Sequence, residues 1–115
     1  MNKRDIGKEY EKLACDFLER HGQSIIERNY HCKVGEIDII SSEGDTLCFV
    51  EVKYRSSLRY GYPEETVDKR KQRKICRAAL YYMTLHDYQG KVRFDVVSIV
   101  PDRIRLLRNA FYFYE

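Results

Sequence analysis

Residues 35–54 constrain this chain more than any other stretch. Two runs suited to strands, Gly35 to Ser42 and Thr46 to Tyr54, are separated by Gly44-Asp45. Glycine supplies the positive φ that the first centre of a two-residue type II′ turn requires, so the runs read as a hairpin. That turn pairs Glu43 with Thr46. Counting back pairs Ile40 with Phe49, Asp38 with Glu51 and Glu36 with Lys53. Strand side chains alternate faces. Glu36, Asp38 and Ile40 are therefore expected on one side with Leu47, Phe49, Glu51 and Lys53, and Ile37, Ile39, Val50 and Val52 on the other.

Opposed residues have Cβ atoms about 4.5 to 5.5 Å apart, and like charges so placed destabilise a sheet. A solvated face with Glu36–Lys53 as an ordinary cross-strand pair is one explanation. Ile40, Leu47 and Phe49 on the charged side speak for a face that is at least partly covered. Covered carboxylates repel unless a proton or a cation intervenes, and their hard oxygens suit Mg²⁺ or Mn²⁺. The residues alone leave the two explanations evenly weighted.

A first helix is expected from about Lys3 to His21, with Ile6, Tyr10, Leu13, Ala14, Phe17 and Leu18 at helical spacing, Asn2 as cap and Gly22 as stop. Ser24 to His31 is β-like, with weak alternation. After a loop holding Gly61 and Pro63, a second helix runs from about Asp68 to His86, with Ile75, Ala78, Ala79, Tyr82 and Leu85 as its stripe. Val92 to Val100 is a strand, and Arg103 to Tyr114 a last strand or extended tail. The order α-β-β-β-α-β-β predicts an α/β sandwich on a mixed sheet with flanking helices.

The 115 residues are expected to form one domain, and 43% hydrophobic content supports a folded core. No run approaches a membrane span, and no apolar segment follows Met-Asn-Lys-Arg-Asp, so a soluble cytoplasmic protein is expected. Cys15, Cys32, Cys48 and Cys76 are too far apart for a zinc pair or redox motif and are expected as reduced, partly buried thiols. Net charge is only +3, but Lys69, Arg70, Lys71, Arg73, Lys74 and Arg77 crowd together. Such clustering suits a polyanion, although a solvated helix face is its commoner meaning. Lys71, four residues before Ile75, falls on the inward stripe, where a lone lysine is unusual. Asp95 in an apolar strand is either a supporting or a purely structural carboxylate. The 10 tyrosines offer rings for stacking on bases, although most, Tyr82 among them, read as core or sheet residues.

Asp38 followed by Glu51-Val52-Lys53 resembles the PD-(D/E)xK signature of restriction-endonuclease-like nucleases. The wider pattern is similar to the YraN-type family of small bacterial proteins, relatives of Holliday-junction resolvases. The matching stretches are Gly7 with Glu11 and Ala14, Arg28-Asn29-Tyr30, Gly35-Glu36-Ile37-Asp38, Phe49 to Arg55, Lys71-Gln72 with Ala78-Ala79, and Arg93 to Val97. Ile37 stands where the signature has proline, and Tyr10 where the family usually has glycine.

The resemblance implies a restriction-endonuclease-like fold and metal-assisted phosphodiester hydrolysis. Asp38, Glu51 and Lys53 would be catalytic, with Asp38 and Glu51 holding Mg²⁺ or Mn²⁺ together with the Val52 carbonyl. Glu11 corresponds to an additional metal-binding glutamate. Independently, its place seven residues before Leu18 sets it within about 20° of that residue on the helix, at the border of the buried stripe. Arg55, Lys71, Gln72, Lys74 and Arg77 would contact nucleic acid through its phosphates. The expected partner is nucleic acid, DNA before RNA, in branched or single-stranded form. No membrane partner is expected, and a homodimer is left open. The competing readings are a nucleic-acid-binding module that has lost catalysis and a protein-interaction domain.

Overall fold

An apolar stripe at helical spacing starts the chain as a helix, and a glycine in the left-handed region stops it. The computed structural model describes residues 3–59 and 61–112, and in it α1 covers Lys3–Arg20. Gly22 has φ 91°. Its N–H donates to the Glu19 carbonyl at 3.3 Å, and that of Gln23 to Leu18 at 3.0 Å, the paired bonds of a Schellman terminus. Ala14, Cys15 and Leu18 are buried, whereas Leu13 is 42% exposed. Leu13 lies about 100° round the helix from Ala14, so the buried stripe is narrower than the spacing suggests. Asn2 and Tyr114, the expected first cap and last strand residue, lie outside the described residues.

Among the described residues five strands follow: β1 (Ser24–Cys32), β2 (Gly35–Glu43), β3 (Thr46–Tyr54), β4 (Lys91–Val100) and β5 (Arg103–Phe111). They lie side by side in chain order, parallel only between β3 and β4. A parallel pair needs a crossover, and α2 (Lys69–Leu85), preceded by a 3-10 turn at Pro63–Thr66, supplies it. The expected order and mixed sheet are those observed. On one face Ala14, Cys15 and Leu18 of α1 pack on Ile39, Cys48, Val50, Val97 and Ile99. On the other, Ile75, Ala78, Ala79 and Tyr82 of α2 pack on Ile37, Ile40, Phe49, Phe94 and Val96. Leu85 of the expected stripe is 66% exposed, while Cys76 and Met83 are buried. The cysteines are thiols, three buried and Cys32 half-buried.

The β2–β3 hairpin forms in the expected register. Among the non-glycine residues at its tip none has positive φ, and Gly44 has φ 60°, as a type II′ turn needs. The ladder runs from Glu43↔Thr46 through Ile40↔Phe49 to Ile39↔Val50 and stops there. The expected Asp38–Glu51 and Glu36–Lys53 ladder pairs are therefore not formed. Alternation also fails at Asp38, because Ile37 packs on the α2 side and Ile39 on the α1 side. Opposite, Asn29 has φ 52° between Arg28↔Ile39 and Tyr30↔Ile37. Both strands reverse their facing at one step without losing register. Where β2 and β3 part, the Val52 N–H donates to Asp38 Oδ2 at 2.8 Å, so a carboxylate takes the place of a ladder carbonyl. Glu36 turns to His31, 3.2 Å away, instead of Lys53.

Asp95 performs the same substitution on β4. The ladder with β5 shifts between Phe94 and Val96, and the Asn109 N–H donates to Asp95 Oδ1 at 2.9 Å. Arg93 holds both Asp95 oxygens at 2.8 Å, which makes the structural reading of this carboxylate sufficient. Arg93 also donates to Glu43 at 2.6 Å, and Arg108 does so at 2.8 and 2.9 Å. Arg108 first, and then Arg93, hold the Glu43 carboxyl at about 2, below its ordinary 4.5. A lowered carboxyl pKa stabilises the fold above the unfolded value and ceases to as pH falls through the folded one. Glu43→Gln should therefore cost about 1.5 kcal/mol at pH 7, the low end for charged hydrogen bonds because the site is partly solvated. It should also flatten the stability loss between pH 4.5 and 2, measured by denaturant melts across that range.

Candidate active site

Glu51 is the unusual residue of the sheet. Strand β3 is central, with Leu47 to Glu51 all buried, and Glu51 is only 4% exposed. It lies under the first turn of α2, which Asp68 caps by accepting from the Lys71 N–H at 2.9 Å. That cap brings Lys71 over the sheet, with Nζ 3.6 Å from Glu51 Oε1. Lys53, two residues along β3, places its Nζ 3.8 Å from the same oxygen.

Burial pushes the Glu51 carboxyl well above its ordinary value; the charge of Asp38 and a hydrogen bond with it add to this, while Lys71 and Lys53 oppose it. Two ammonium groups thus fail to offset burial beside a second carboxyl. Glu51 therefore takes up a proton more readily than an ordinary carboxyl, beside an Asp38 whose Oδ2 already accepts from the Val52 N–H. The two carboxyls meet even though their ladder pairing is broken.

Glu11 approaches from α1, half-buried. With its NH₂ toward Glu11, the Asn29 amide donates to both carboxylate oxygens, at 2.8 and 3.0 Å. Burial, and then the charge of Asp38, raise the Glu11 pKa; Arg28 counters them. Asp38 thus stands electrostatically between Glu11 and Glu51. Among the described residues no group of three or more His, Cys, Asp or Glu side chains is arranged to hold a metal ion. Tyr10 stacks on Tyr54 with centroids 4.0 Å apart. The Tyr10 ring therefore fills the approach of α1 to β3.

The structure brings Asp38, Glu51, Lys53 and Lys71 together. Gln72 is committed locally, its Nε2 donating to the Val67 carbonyl at 3.0 Å. Lys74 and Arg77 are exposed on α2. Arg55 follows β3, its N–H donating to the Ile99 carbonyl at 3.0 Å. Asn29 and Arg28, beside Glu11, were not among the expected site residues. Their signal was the matching stretch Arg28-Asn29-Tyr30, in which Asn29 tolerates the positive φ it adopts.

The profile of a family described as "Uncharacterised protein family UPF0102" matches residues 10–99. A UPF0102 protein of Persephonella marina is 46% identical, with 91% of each chain aligned. One from Caldicellulosiruptor saccharolyticus is 43% identical over 96% of this chain and 100% of its own. Among solved structures, the Archaeoglobus fulgidus protein Hjc, described as a Holliday junction resolvase from an archaeal hyperthermophile, superposes with a TM-score of 0.53. At 18% identity it covers 87% of this chain and 73% of its own, a likeness of fold.

Proposed function

The chain belongs to the UPF0102 family, the YraN family whose motifs its sequence carries, and from that premise we propose that it is a metal-dependent nuclease hydrolysing phosphodiester bonds in DNA. The observation that carries the reading is the buried Glu51 carboxyl held against Asp38 with two lysine ammonium groups on it. The resolvase named in the structural comparison has the same fold, which supports a nuclease over other uses of such a site.

The donor chemistry fits a divalent ion. The Asp38 and Glu51 oxygens and the Val52 carbonyl are hard ligands suited to Mg²⁺ or Mn²⁺. Burial and the charge of Asp38 favour a proton on Glu51, and a cation's charge would take that proton's place. Asp38 and Glu51 would hold the ion, with Glu11 joining through water from its place on α1. A bound ion supplies Lewis-acid polarisation of the scissile phosphate and a lowered pKa for water. Lys53 orients the attacking water and offsets the charge that develops on the phosphoryl oxygens. Lys71, at the mouth of the site, draws a phosphate toward Glu51. Lys74, Arg77 and Arg55 meet flanking phosphates and set orientation rather than sequence choice.

A cleavage screen tests the reading. Duplex, single-stranded, flap and four-way DNA are incubated with Mg²⁺ or Mn²⁺, with chelator, and with Asp38→Asn. Cleavage of at least one form is expected with an ion, and none with chelator or with the variant. A protein that binds these DNAs but cuts none with either ion would be the non-catalytic module instead.

A further inference from the structure

Three residues beyond Lys53 the chain enters a cleft of about 430 Å³ between the loop after β3 and the β4–β5 turn, with Ser56, Ser57, Leu58, Tyr62, Asp102 and Arg103 on its walls. An extended chain covers at most about 11 Å in three residues, so the cleft opens beside the candidate active site. The sheet links the two places. Lys53 pairs with Ser98 on β4, and Ser98 with Arg105 on β5. Residues in register share a face, and strands are about 4.8 Å apart, so the Arg105 backbone lies about 10 Å from that of Lys53 on the lysine's own side. The Arg105 guanidinium lies 4.3 Å from the centroid of the Tyr62 ring. Tyr62 directly precedes Pro63, which is buried, and the 3-10 turn after it packs on β3 and β4. The ring is thus anchored at its base and backed by a cation, yet 37% exposed and turned to the cleft.

We propose that this cleft takes an unpaired nucleotide of the strand held at Asp38 and Glu51, its base stacked on Tyr62 and its phosphate met by Arg103. The proposal rests on the nuclease reading and names its substrate class. A base inside a duplex has both faces covered by its neighbours, so only an unstacked base can lie on the ring. Stacking of this kind tolerates any base. The site would then select DNA with a single-stranded or branched point close to the scissile phosphate, independently of sequence.

The test uses the whole protein in chelator, so that no strand is cut, with a fluorescein-labelled oligothymidylate and a blunt duplex as probes in anisotropy titrations. Loss of one base stack is worth about 1–3 kcal/mol, so Tyr62→Ala should weaken single-strand binding between about 5-fold and 150-fold. Duplex binding should not change, and Tyr62→Phe should bind both as the wild type does. Arg103→Gln, at the exposed start of β5, keeps the question decidable if Tyr62→Ala misfolds. It should reduce the single-strand salt slope by about 0.7 and leave the duplex slope alone. Equal losses on both probes, or no loss on either, would overturn the cleft while ion-dependent cleavage survived. A wild type that bound neither probe would overturn the cleft, whereas the nuclease reading falls separately, if none of the four DNA forms is cut with either ion.

Discussion

Millimolar Mn²⁺ or Mg²⁺ should raise the melting temperature of this protein by about 10 to 20 °C, and equal ionic strength from KCl should not. An ion that binds only the folded state stabilises it by about 2.7 kcal/mol at a hundred times Kd, and each 1 kcal/mol moves the midpoint of a domain of this size by about 4 to 8 °C. Asp38→Asn should abolish the response. Asparagine keeps the oxygen that accepts from the Val52 N–H, and its NH₂ can donate to Glu51, so the metal-free variant should melt slightly above the wild type. The pH dependence of the metal-free protein supplies a second readout. Burial and Asp38 raise the Glu51 pKa above 4.5, so between that unfolded value and the folded one the unfolded chain releases a proton that the folded chain keeps. This contribution to stability is whole below pH 4.5 and is lost as pH rises through the folded pKa. In chelator the wild type should therefore lose stability as pH climbs from 5 to 8, and Glu51→Gln should not. Melting scans of the three proteins, with and without each ion, decide the matter. An ion response intact in Asp38→Asn would place the metal elsewhere.

Removing the Lys53 ammonium should separate catalysis from metal binding. Lys53→Gln is expected to slow cleavage by about 10² to 10³, the usual cost of deleting one group aimed at transition-state charge. Because Nζ lies 3.8 Å from Glu51, its loss also leaves the acidic pair less compensated, so the ion-induced melting shift should persist or grow. Single-turnover rates on whichever DNA is cut, set beside melting scans with Mn²⁺, read both effects. A variant that cut at the wild-type rate would leave Lys53 as a mere ion-pair partner of Glu51. One that lost its ion response with its activity would make the lysine structural.

Much of this was legible before any fold was known. The helices, the strands and the Gly44 turn follow from local periodicity and from one backbone angle that glycine supplies. The hairpin register follows from them as far as Ile39↔Val50. Lys71 was legible as an inward lysine from its spacing to Ile75. Its partner was not, because Glu51 reaches it only once α2 lies across the sheet. Asp38 was placed beside Glu51 for a reason that proved incomplete. The expected ladder pair is absent, yet the side chains meet because Asp38 bonds to Val52 where the strands separate.

The sequence by itself determined the order of elements, the two apolar faces of β3 and the identity of the acidic and basic residues available for chemistry. These depend on side-chain period and local backbone preference, which neighbouring residues carry. The tertiary structure alone decided that β2 reverses its facing at Asp38, that Glu11 is held by Asn29, that Glu36 pairs with His31, and that the Lys53 row runs through Ser98 to Arg105 beneath Tyr62. Each of these is a meeting between segments distant in the chain or a one-residue reversal, and the same pattern of residue types is compatible with either facing until packing on both sides of the sheet selects one.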